Sequence, residues 1–232
     1  VYMLHGAGGD GFEWVQRADV EAWCCKYGFI AVMPSCQLSF YNDTPDGRNF
    51  ATYVAWELPN MIEATFHASR QAKDRYLMGY SMGGFGAVRI GLCNPDRYHK
   101  LASLSGCMDV AGFINAFEGG SIFRIHGALA GWPDIQGSDN DTLALLDRAA
   151  ARKARGEYVP PCTIPWASRI SSMHTAKNGV KKPRPWGWIS SIPKGMGSMI
   201  SPIGTPASSR RYSPSSLKAD RRCWAAGERT AL

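Results

Sequence analysis

The 232-residue chain contains no apolar run that approaches the roughly 18 to 20 residues needed to span a bilayer, so we expect no membrane span and no membrane partner. It also lacks the compositional biases of collagen-like, coiled-coil or wholly disordered chains. Apolar residues make up 45% of the sequence and aromatic residues 11%, which is enough to fill a sizeable core. We therefore predict one globular domain, or at most two small ones.

The seven cysteines lack the paired spacing of a disulfide framework or of a CxxC metal site, and Cys24 and Cys25 are adjacent. We therefore expect reduced thiols, no metal site and a cytoplasmic location. The start of the chain does not show the basic segment followed by an apolar one that marks a signal peptide. Because the chain opens on Val1 inside an apolar run and not on Met, the sequence leaves open a signal peptide that has been removed.

Acidic residues are scarce near the end of the chain. Residues 1–160 carry 14 Lys/Arg and 17 Asp/Glu, a net charge of −3, whereas residues 161–232 carry 12 Lys/Arg and 2 Asp/Glu, a net charge of +10. The later segment also holds eight of the 14 prolines and keeps no helical or strand period, which favours a disordered basic tail. Its basic residues follow no helical spacing or known binding motif, so we expect no nucleic-acid partner.

Strand-like apolar runs alternate with helical spacings through the first part of the chain. This alternation is typical of an α/β fold with a doubly wound, mostly parallel sheet. We therefore divide the chain into an α/β core over residues 1–160 and a basic Pro/Ser-rich segment over residues 161–232. The sequence predicts strands at 1–4, 29–33, 75–80 and 101–106, and helices at 13–26, 55–68, 82–92 and 142–154.

A G-x-S-x-G motif, Gly79-Tyr80-Ser81-Met82-Gly83, lies between the third predicted strand and the helix that follows it. Glycines two positions before and two after the serine allow a tight strand-to-helix turn. On such a turn Ser81 would be exposed at the carboxyl end of the sheet, at the positive end of a helix dipole. Ser81 is therefore the predicted catalytic nucleophile.

A serine nucleophile needs backbone N–H groups that stabilise the oxyanion of the tetrahedral intermediate. One donor is expected from the residue after the serine, Met82. The second is expected from the glycine-rich loop after the first strand, where Ala7 is the first choice and Gly8 the second. His5 precedes this loop, and we interpret it as a residue that braces the loop through hydrogen bonds and not as the general base.

Residues 1–150 resemble the esterase branch of the α/β-hydrolases in four motifs: the LHGAGGD loop, the Glu57-Leu58-Pro59 helix start, the LMGYSMGGFGA turn and the LSG strand end. This branch includes small carboxylesterases, tributyrin and feruloyl esterases, S-formylglutathione hydrolases and, more distantly, mycolyltransferases. The resemblance implies hydrolysis of small acyl esters through an acyl-Ser81 intermediate, without a cofactor. It also implies a catalytic Asp and His later in the chain, in the order Ser, Asp, His.

The resemblance further implies strands before Val1 and a closing strand and helix, which we expect this fold to lack. The strands that begin at Val1 and end at Gly106 would then lose neighbours and expose unpaired sheet edges. The sequence does not determine the oligomeric state.

The triad acid and base have no counterparts where the resemblance places them. The acid would lie near residues 165–175 with the histidine further on, but no carboxylate occurs between Glu157 and Asp220. His174 stands where the acid belongs, and no histidine follows it. The acid and the base of the triad are therefore unassigned.

The remaining histidines offer one alternative. Asp109 follows the fourth predicted strand closely and would serve as the acid if His126 or His174 folded back as the base. His67 and His99 are interpreted as surface or helix-end residues.

A shift of one nucleotide in the reading frame would account for the missing triad residues. Residues 197–202 and 168–173 can be written in codons that, read one nucleotide earlier, give Glu-His-Asp-Phe-Pro and Glu-Gln-Asp-Phe-Leu-Tyr, which resemble the family's histidine and acid segments. We hypothesise a frameshift near residues 163–166, and a coding DNA whose shifted frame failed to spell those segments would contradict it. The alternative to a working esterase is then an inactive esterase-derived fragment or pseudo-hydrolase.

Overall fold

A parallel four-stranded sheet forms the centre of the protein in the computed structural model, which describes residues 1–110 and 135–164. This sheet confirms the predicted α/β class. Because the strands run in one direction, their carboxyl ends share one edge of the sheet. The strand order is β1 (Tyr2–Leu4), β2 (Tyr76–Tyr80), β3 (Lys100–Leu104) and β4 (Cys162–Thr163).

Helices connect the strands across the described ranges. Two of them, Met82–Cys93 and Thr142–Ala154, agree with the helices predicted at 82–92 and 142–154. A π-helical turn, Tyr53–Glu57, and two short 3-10 helices, Ala72–Asp74 and Pro95–Arg97, complete the connections. The α-helices are α1 (Glu13–Arg17), α2 (Val20–Tyr27), α3 (Phe50–Thr52), α4 (Leu58–Thr65), α5 (Met82–Cys93) and α6 (Thr142–Ala154).

The helix predicted over 13–26 is two helices in the structure. Ala18 takes an extended conformation, with φ −141° and ψ 153°, which ends α1. The side chain of Asp19 then accepts a hydrogen bond from the N–H of Ala22 and caps α2. An aspartate that caps a new helix competes with continuation of the preceding one, and the apolar spacing does not reveal that competition.

The helix predicted over 55–68 begins earlier, at Phe50, and passes through the π-helical turn before α4. The turn ends directly before Leu58-Pro59. A proline has no N–H to donate and its ring crowds the carbonyl four residues earlier, so wider winding before Pro59 accommodates it.

The strand predicted over 29–33 is reduced to one parallel bridge, between Val32 and Tyr2. Val32 accepts from Met3 N at 2.8 Å and donates to Val1 O at 2.9 Å. Pro34 lacks an N–H group, so the hydrogen-bonded ladder cannot continue past this point.

The expectation that the strands beginning at Val1 and ending at Gly106 would lack neighbouring strands is wrong. The segment around Val32 flanks β1, and β4 flanks β3. β4 lies just inside the segment that the sequence-based division begins at residue 161. Its Cys162 and the following Ile164 are buried, with 0% and 3% exposure, so the packed core continues to the end of the described range.

The two faces of the sheet carry separate apolar clusters. The larger one packs against α5 and α6, and the smaller one lies beneath α1 and α2. Alternation along the strands sends successive side chains to opposite faces, which is why Leu4 and Met3 belong to different clusters. Members of the larger cluster include Leu4, Leu77, Phe85, Leu101 and Leu146; the smaller cluster comprises Met3, Trp14, Val20, Tyr80 and Leu104.

The chain around the undescribed residues 111–134 is fastened where it leaves and where it returns. Thr142, the first residue of α6, donates from Oγ1 to the carbonyl of Met108 at 2.5 Å. Arg89 of α5 donates from Nε to Asn140 Oδ1 at 2.6 Å and from Nη1 to the carbonyl of Tyr41 at 3.1 Å. The residues on either side of this interval are therefore held to each other and to α5 by hydrogen bonds.

The thiol expectation is confirmed at some positions and wrong at one. Cys25, exposed on α2, is disulfide-bonded. Free thiols occur at Cys24, Cys36, Cys93, Cys107 and Cys162.

In residues 1–110 and 135–164 the structure holds no helix long and apolar enough to cross a membrane, and no candidate metal cluster.

Close packing of α5 on the sheet makes glycine necessary at its first turn. A Cβ atom on Gly83 would collide with the carbonyl oxygen of Leu4 and lie 2.7 Å from that of His5. One on Gly79 would lie 2.9 Å from the Cα of Gly83 and meet its carbonyl group more closely still. The glycines of the motif therefore set the distance between the helix and the sheet.

We expect Gly83→Ala to lower the free energy of unfolding by about 2–3 kcal/mol, because its obstacle is backbone that cannot rotate away. Gly91→Ala is the matched comparison in the same helix, since its added Cβ meets the buried side chain of Leu101 and not backbone. Its loss should be smaller than that of Gly83→Ala, because a side chain can change rotamer where backbone cannot, and because alanine has the better helix propensity. Urea denaturation measures both, and equal losses would contradict the close-packing argument.

Candidate functional site

Ser81 occupies a strained turn between β2 and α5. Its φ is 52° and its ψ is −119°, and the residue is exposed. Its N–H donates to the carbonyl of Leu104 at 2.9 Å, and its own carbonyl accepts from Phe85 N at 3.1 Å. A positive φ in a residue with a side chain costs roughly 1–3 kcal/mol and persists where the surrounding structure imposes it. The flanking strand and helix impose it here.

The start of α5 presents unoccupied backbone donors beside Ser81. No side chain caps this helix, whose first residue is Met82. The first N–H groups of an α-helix have no intrahelical acceptor, and the helix dipole makes that end attractive to negative charge. Met82 N–H thus lies where the predicted first oxyanion donor belongs, and its role stays a prediction.

The glycine-rich loop follows β1 at the same edge of the sheet. Ala7 and Gly8 are exposed, and Gly8 has a φ of +77° that suits glycine. A bond from Gly9 N to Gly6 O at 3.3 Å closes the turn. Because the first turn of α5 packs on the end of β1, the loop and the serine turn are neighbours. Either Ala7 or Gly8 remains the predicted second donor.

His5 is buried beneath this loop and uses both ring nitrogens. Its Nε2 accepts from the N–H of Cys36 at 2.9 Å, which leaves Nδ1 to donate to the carbonyl of Gly6 at 2.7 Å. The hydroxyl of Tyr41 donates to the carbonyl of His5 at 2.9 Å. Without a free lone pair, His5 cannot take a proton from Ser81. The prediction that it braces the loop is confirmed.

Two further described histidines lie away from Ser81. His67 is exposed after the end of α4 and before β2 begins. His99 is partly buried, with its ring 5.4 Å from that of Tyr76, the first residue of β2. At about 3.3 Å per residue, the length of β2 separates Tyr76 from Ser81 by roughly 16 Å. Neither histidine is placed to act as the base.

The alternative acid, Asp109, is partly buried shortly after β3. Its two candidate partners, His126 and His174, lie outside the described residues. An acid–base pair that includes Asp109 therefore stays a prediction.

Two thiols near these elements, one buried (Cys36) and one partly buried (Cys107), do not compete with Ser81 as nucleophiles. Burial raises the pKa of the Cys36 thiol to about 12; it is the backbone N–H of Cys36 that donates to His5. Burial also raises the pKa of Cys107, which follows Gly106 after β3, to about 12, with the charge of Asp109 adding to the effect. Both thiols are protonated at neutral pH, and the thiolate is the reactive form.

One contact at the site was not predicted from the sequence. The hydroxyl of Tyr80 donates to the carboxylate of Glu13, in a hydrogen bond that joins residues 67 positions apart. Burial, and then the bond to Glu13, raise the pKa of Tyr80 to about 12, so the phenol keeps its proton. Tyr80 occupies a variable position of the motif, and no local periodicity links it to Glu13.

A family model described as "Putative esterase" matches residues 36–209, and the chain therefore belongs to this esterase family. The matched range extends beyond residue 160, into the segment for which the sequence suggests a frameshift or disorder.

Two curated relatives are esterases or hydrolases. An acetyl esterase of Caldicellulosiruptor saccharolyticus is 27% identical over 162 residues, which cover 66% of this chain and 60% of the relative. An S-formylglutathione hydrolase of Paracoccus denitrificans (strain Pd 1222) is 26% identical over 111 residues, 38% of this chain and 39% of the relative. The chain thus spans 60% or less of the length of these relatives.

Solved structures show the same fold. The Staphylococcus aureus fluorophosphonate-binding serine hydrolase FphF superposes with a TM-score of 0.62 at 19% identity, covering 78% of this chain and 71% of its own. The S-formylglutathione hydrolase FrmB of Staphylococcus aureus gives a TM-score of 0.60 at 19% identity, covering 77% and 71%. This confirms the predicted α/β-hydrolase fold, of which the described residues form a part.

Proposed function

We propose that the protein is a serine carboxylesterase whose nucleophile is Ser81. The observation that carries the proposal is the exposed Ser81 at φ 52°, between a buried strand and an uncapped helix N-terminus. This arrangement places a hydroxyl beside donors that stabilise negative charge. The protonated thiols of Cys36 and Cys107 nearby favour the hydroxyl as the attacking group.

In the proposed reaction, Ser81 Oγ bonds to the ester carbonyl carbon while its proton passes to a general base. The resulting oxyanion accepts hydrogen bonds from Met82 N–H and from the N–H of Ala7 or Gly8. The tetrahedral intermediate collapses, the alcohol leaves with the proton, and water then releases the acid from acyl-Ser81. Since no histidine of the described ranges is placed to be the base, the proposal assigns the base to residues outside them.

We propose small acyl esters as the substrates. The names of the relatives support this class, because an acetyl ester and an S-formyl thioester both carry one- or two-carbon acyl groups. An acyl transfer of this kind needs no cofactor.

A fluorophosphonate probe tests the nucleophile, because the probe phosphonylates an activated serine. We expect covalent labelling of the wild-type chain and none of Ser81→Ala. Ser105→Ala is the matched control, since Ser105 is also exposed, also has a positive φ (53°) and directly follows β3. It should label as wild type does.

Labelling that persists in Ser81→Ala would show that another residue is the nucleophile. A folded wild-type chain that does not label would contradict the proposal and favour the inactive, esterase-derived alternative. Intact-mass measurement distinguishes these outcomes.

A further inference from the structure

We infer that Tyr80 and Glu13 form a positioning pair that holds the Gly6–Gly9 loop against the Ser81 turn. The inference rests on the proposed function, because that function makes the backbone of this loop an oxyanion donor. The two side chains belong to different elements, Tyr80 to β2 and Glu13 to α1. Their hydrogen bond therefore joins the strand that carries the nucleophile to the helix that ends the loop region.

The ring of Tyr80 packs directly on one end of the loop. A Cβ atom on Gly6 would lie 2.5 Å from Tyr80 Cε2, so the ring occupies the space that a side chain at position 6 would need. Tyr80 is 8% exposed, and the Trp14 ring meets it edge-on at 5.2 Å, so the ring has little freedom to move.

The carboxylate of Glu13 packs on the other end of the loop. A Cβ atom on Gly9 would collide with this carboxylate, so the carboxylate lies directly against the backbone of Gly9. Arg17 donates to Glu13 Oε1 at 2.9 Å through Nη2 and at 3.2 Å through Nε, and so orients the carboxylate from the solvent side.

The pair thus contacts both ends of the loop and leaves its middle free. Gly6 lies under the Tyr80 ring and Gly9 under the Glu13 carboxylate, while Ala7 and Gly8 between them are exposed. Tyr80 directly precedes Ser81 in the chain, so one side chain sets the position of the loop relative to the nucleophile. Both residues act through the loop backbone and are positioning residues.

Three variants test the pair. Tyr80→Phe keeps the ring on Gly6 but removes the hydroxyl, Glu13→Gln keeps an oxygen that accepts from Tyr80, and Arg17→Gln removes only the exposed ion pair. Hydrogen exchange of the peptide that covers residues 6–9 reports the loop directly. We expect faster exchange in Tyr80→Phe, and exchange close to wild type in the other two.

The rate of fluorophosphonate labelling is the second measurement. We expect Tyr80→Phe to label roughly 10-fold more slowly, because a displaced donor loses part of its stabilisation of the developing charge. With p-nitrophenyl acetate the loss should fall on kcat and leave KM near its wild-type value. Glu13→Gln should keep the labelling rate and kcat close to wild type, because its amide oxygen still accepts from Tyr80. A role that depended on the charge of the carboxylate would lower both instead.

Unchanged loop exchange in Tyr80→Phe would overturn the inference, whatever the labelling shows. If the wild-type chain does not label at Ser81, the proposed function fails, and loop exchange alone then decides whether the pair holds the loop. Should Tyr80→Phe not fold, Glu13→Ala removes the same bond from the surface helix α1. Wild-type exchange in that variant would overturn the inference equally.

Discussion

Replacing Ser81 with glycine is expected to remove ester hydrolysis and to give a more stable protein than replacing it with alanine. Loss of the nucleophile lowers the rate by a factor on the order of 10⁴ or more in serine hydrolases, so both variants should hydrolyse p-nitrophenyl acetate no faster than the blank. Their stabilities should differ, because alanine keeps a Cβ atom at φ 52° and glycine does not.

Relief of that strain should make Ser81→Gly more stable than Ser81→Ala by about 1 kcal/mol, after allowing for the greater freedom of glycine in the unfolded chain. Urea denaturation of the two variants measures the difference. Gly47, at φ +87° with open space around it, shows the opposite case, and Gly47→Ala should be destabilised. Equal stability of the two Ser81 variants would show that the turn stores no strain.

Removing the carboxylate of Glu63 is expected to cause the largest loss of stability. Glu63 on α4 pairs with Arg75, and the two side chains are 9% and 6% exposed. Arg75 Nε donates to Glu63 Oε1 at 3.1 Å, and Nη1 donates to the carbonyl of Arg97 at 2.9 Å. Glu63→Ala leaves the guanidinium buried without a counter-charge, which costs about 3–5 kcal/mol.

Asp139→Ala is the control, because it breaks the Arg148–Asp139 pair, whose side chains are 50% and 65% exposed. Such exposed pairs contribute about 0–1 kcal/mol. Thermal and urea denaturation of both variants test the contrast. A loss below about 1 kcal/mol in Glu63→Ala would mean that water reaches the guanidinium as soon as its partner is removed.

Much of the fold could be predicted from local patterns in the sequence. β2, the serine turn and α5 are consecutive, so the spacing of small and apolar residues was enough to predict them. The helix ending at Ala154 was predictable for the same reason. The bracing role of His5 followed from its place between an apolar strand and a glycine-rich loop.

The remaining features depend on contacts between distant residues or on backbone accommodation. The break at Ala18 reflects a competing cap at Asp19, and the π-helical turn reflects Pro59; apolar periodicity is insensitive to both. The Tyr80–Glu13 bond and the buried Glu63 pair arise only when separate elements meet. Polar side chains that pair across a fold carry no periodic signal, which is why the sequence did not reveal them.

The bond between Thr142 and Met108 has an evolutionary consequence. It brings together the chain on either side of residues 111–134, so that interval begins and ends at nearly the same place on the core. Lengthening a flexible connection between two such points costs little free energy, about 0.6 kcal/mol for each doubling. Insertions and deletions can therefore accumulate there while the nucleophile stays in place, and related proteins are free to diverge in this interval without rebuilding their catalytic elements.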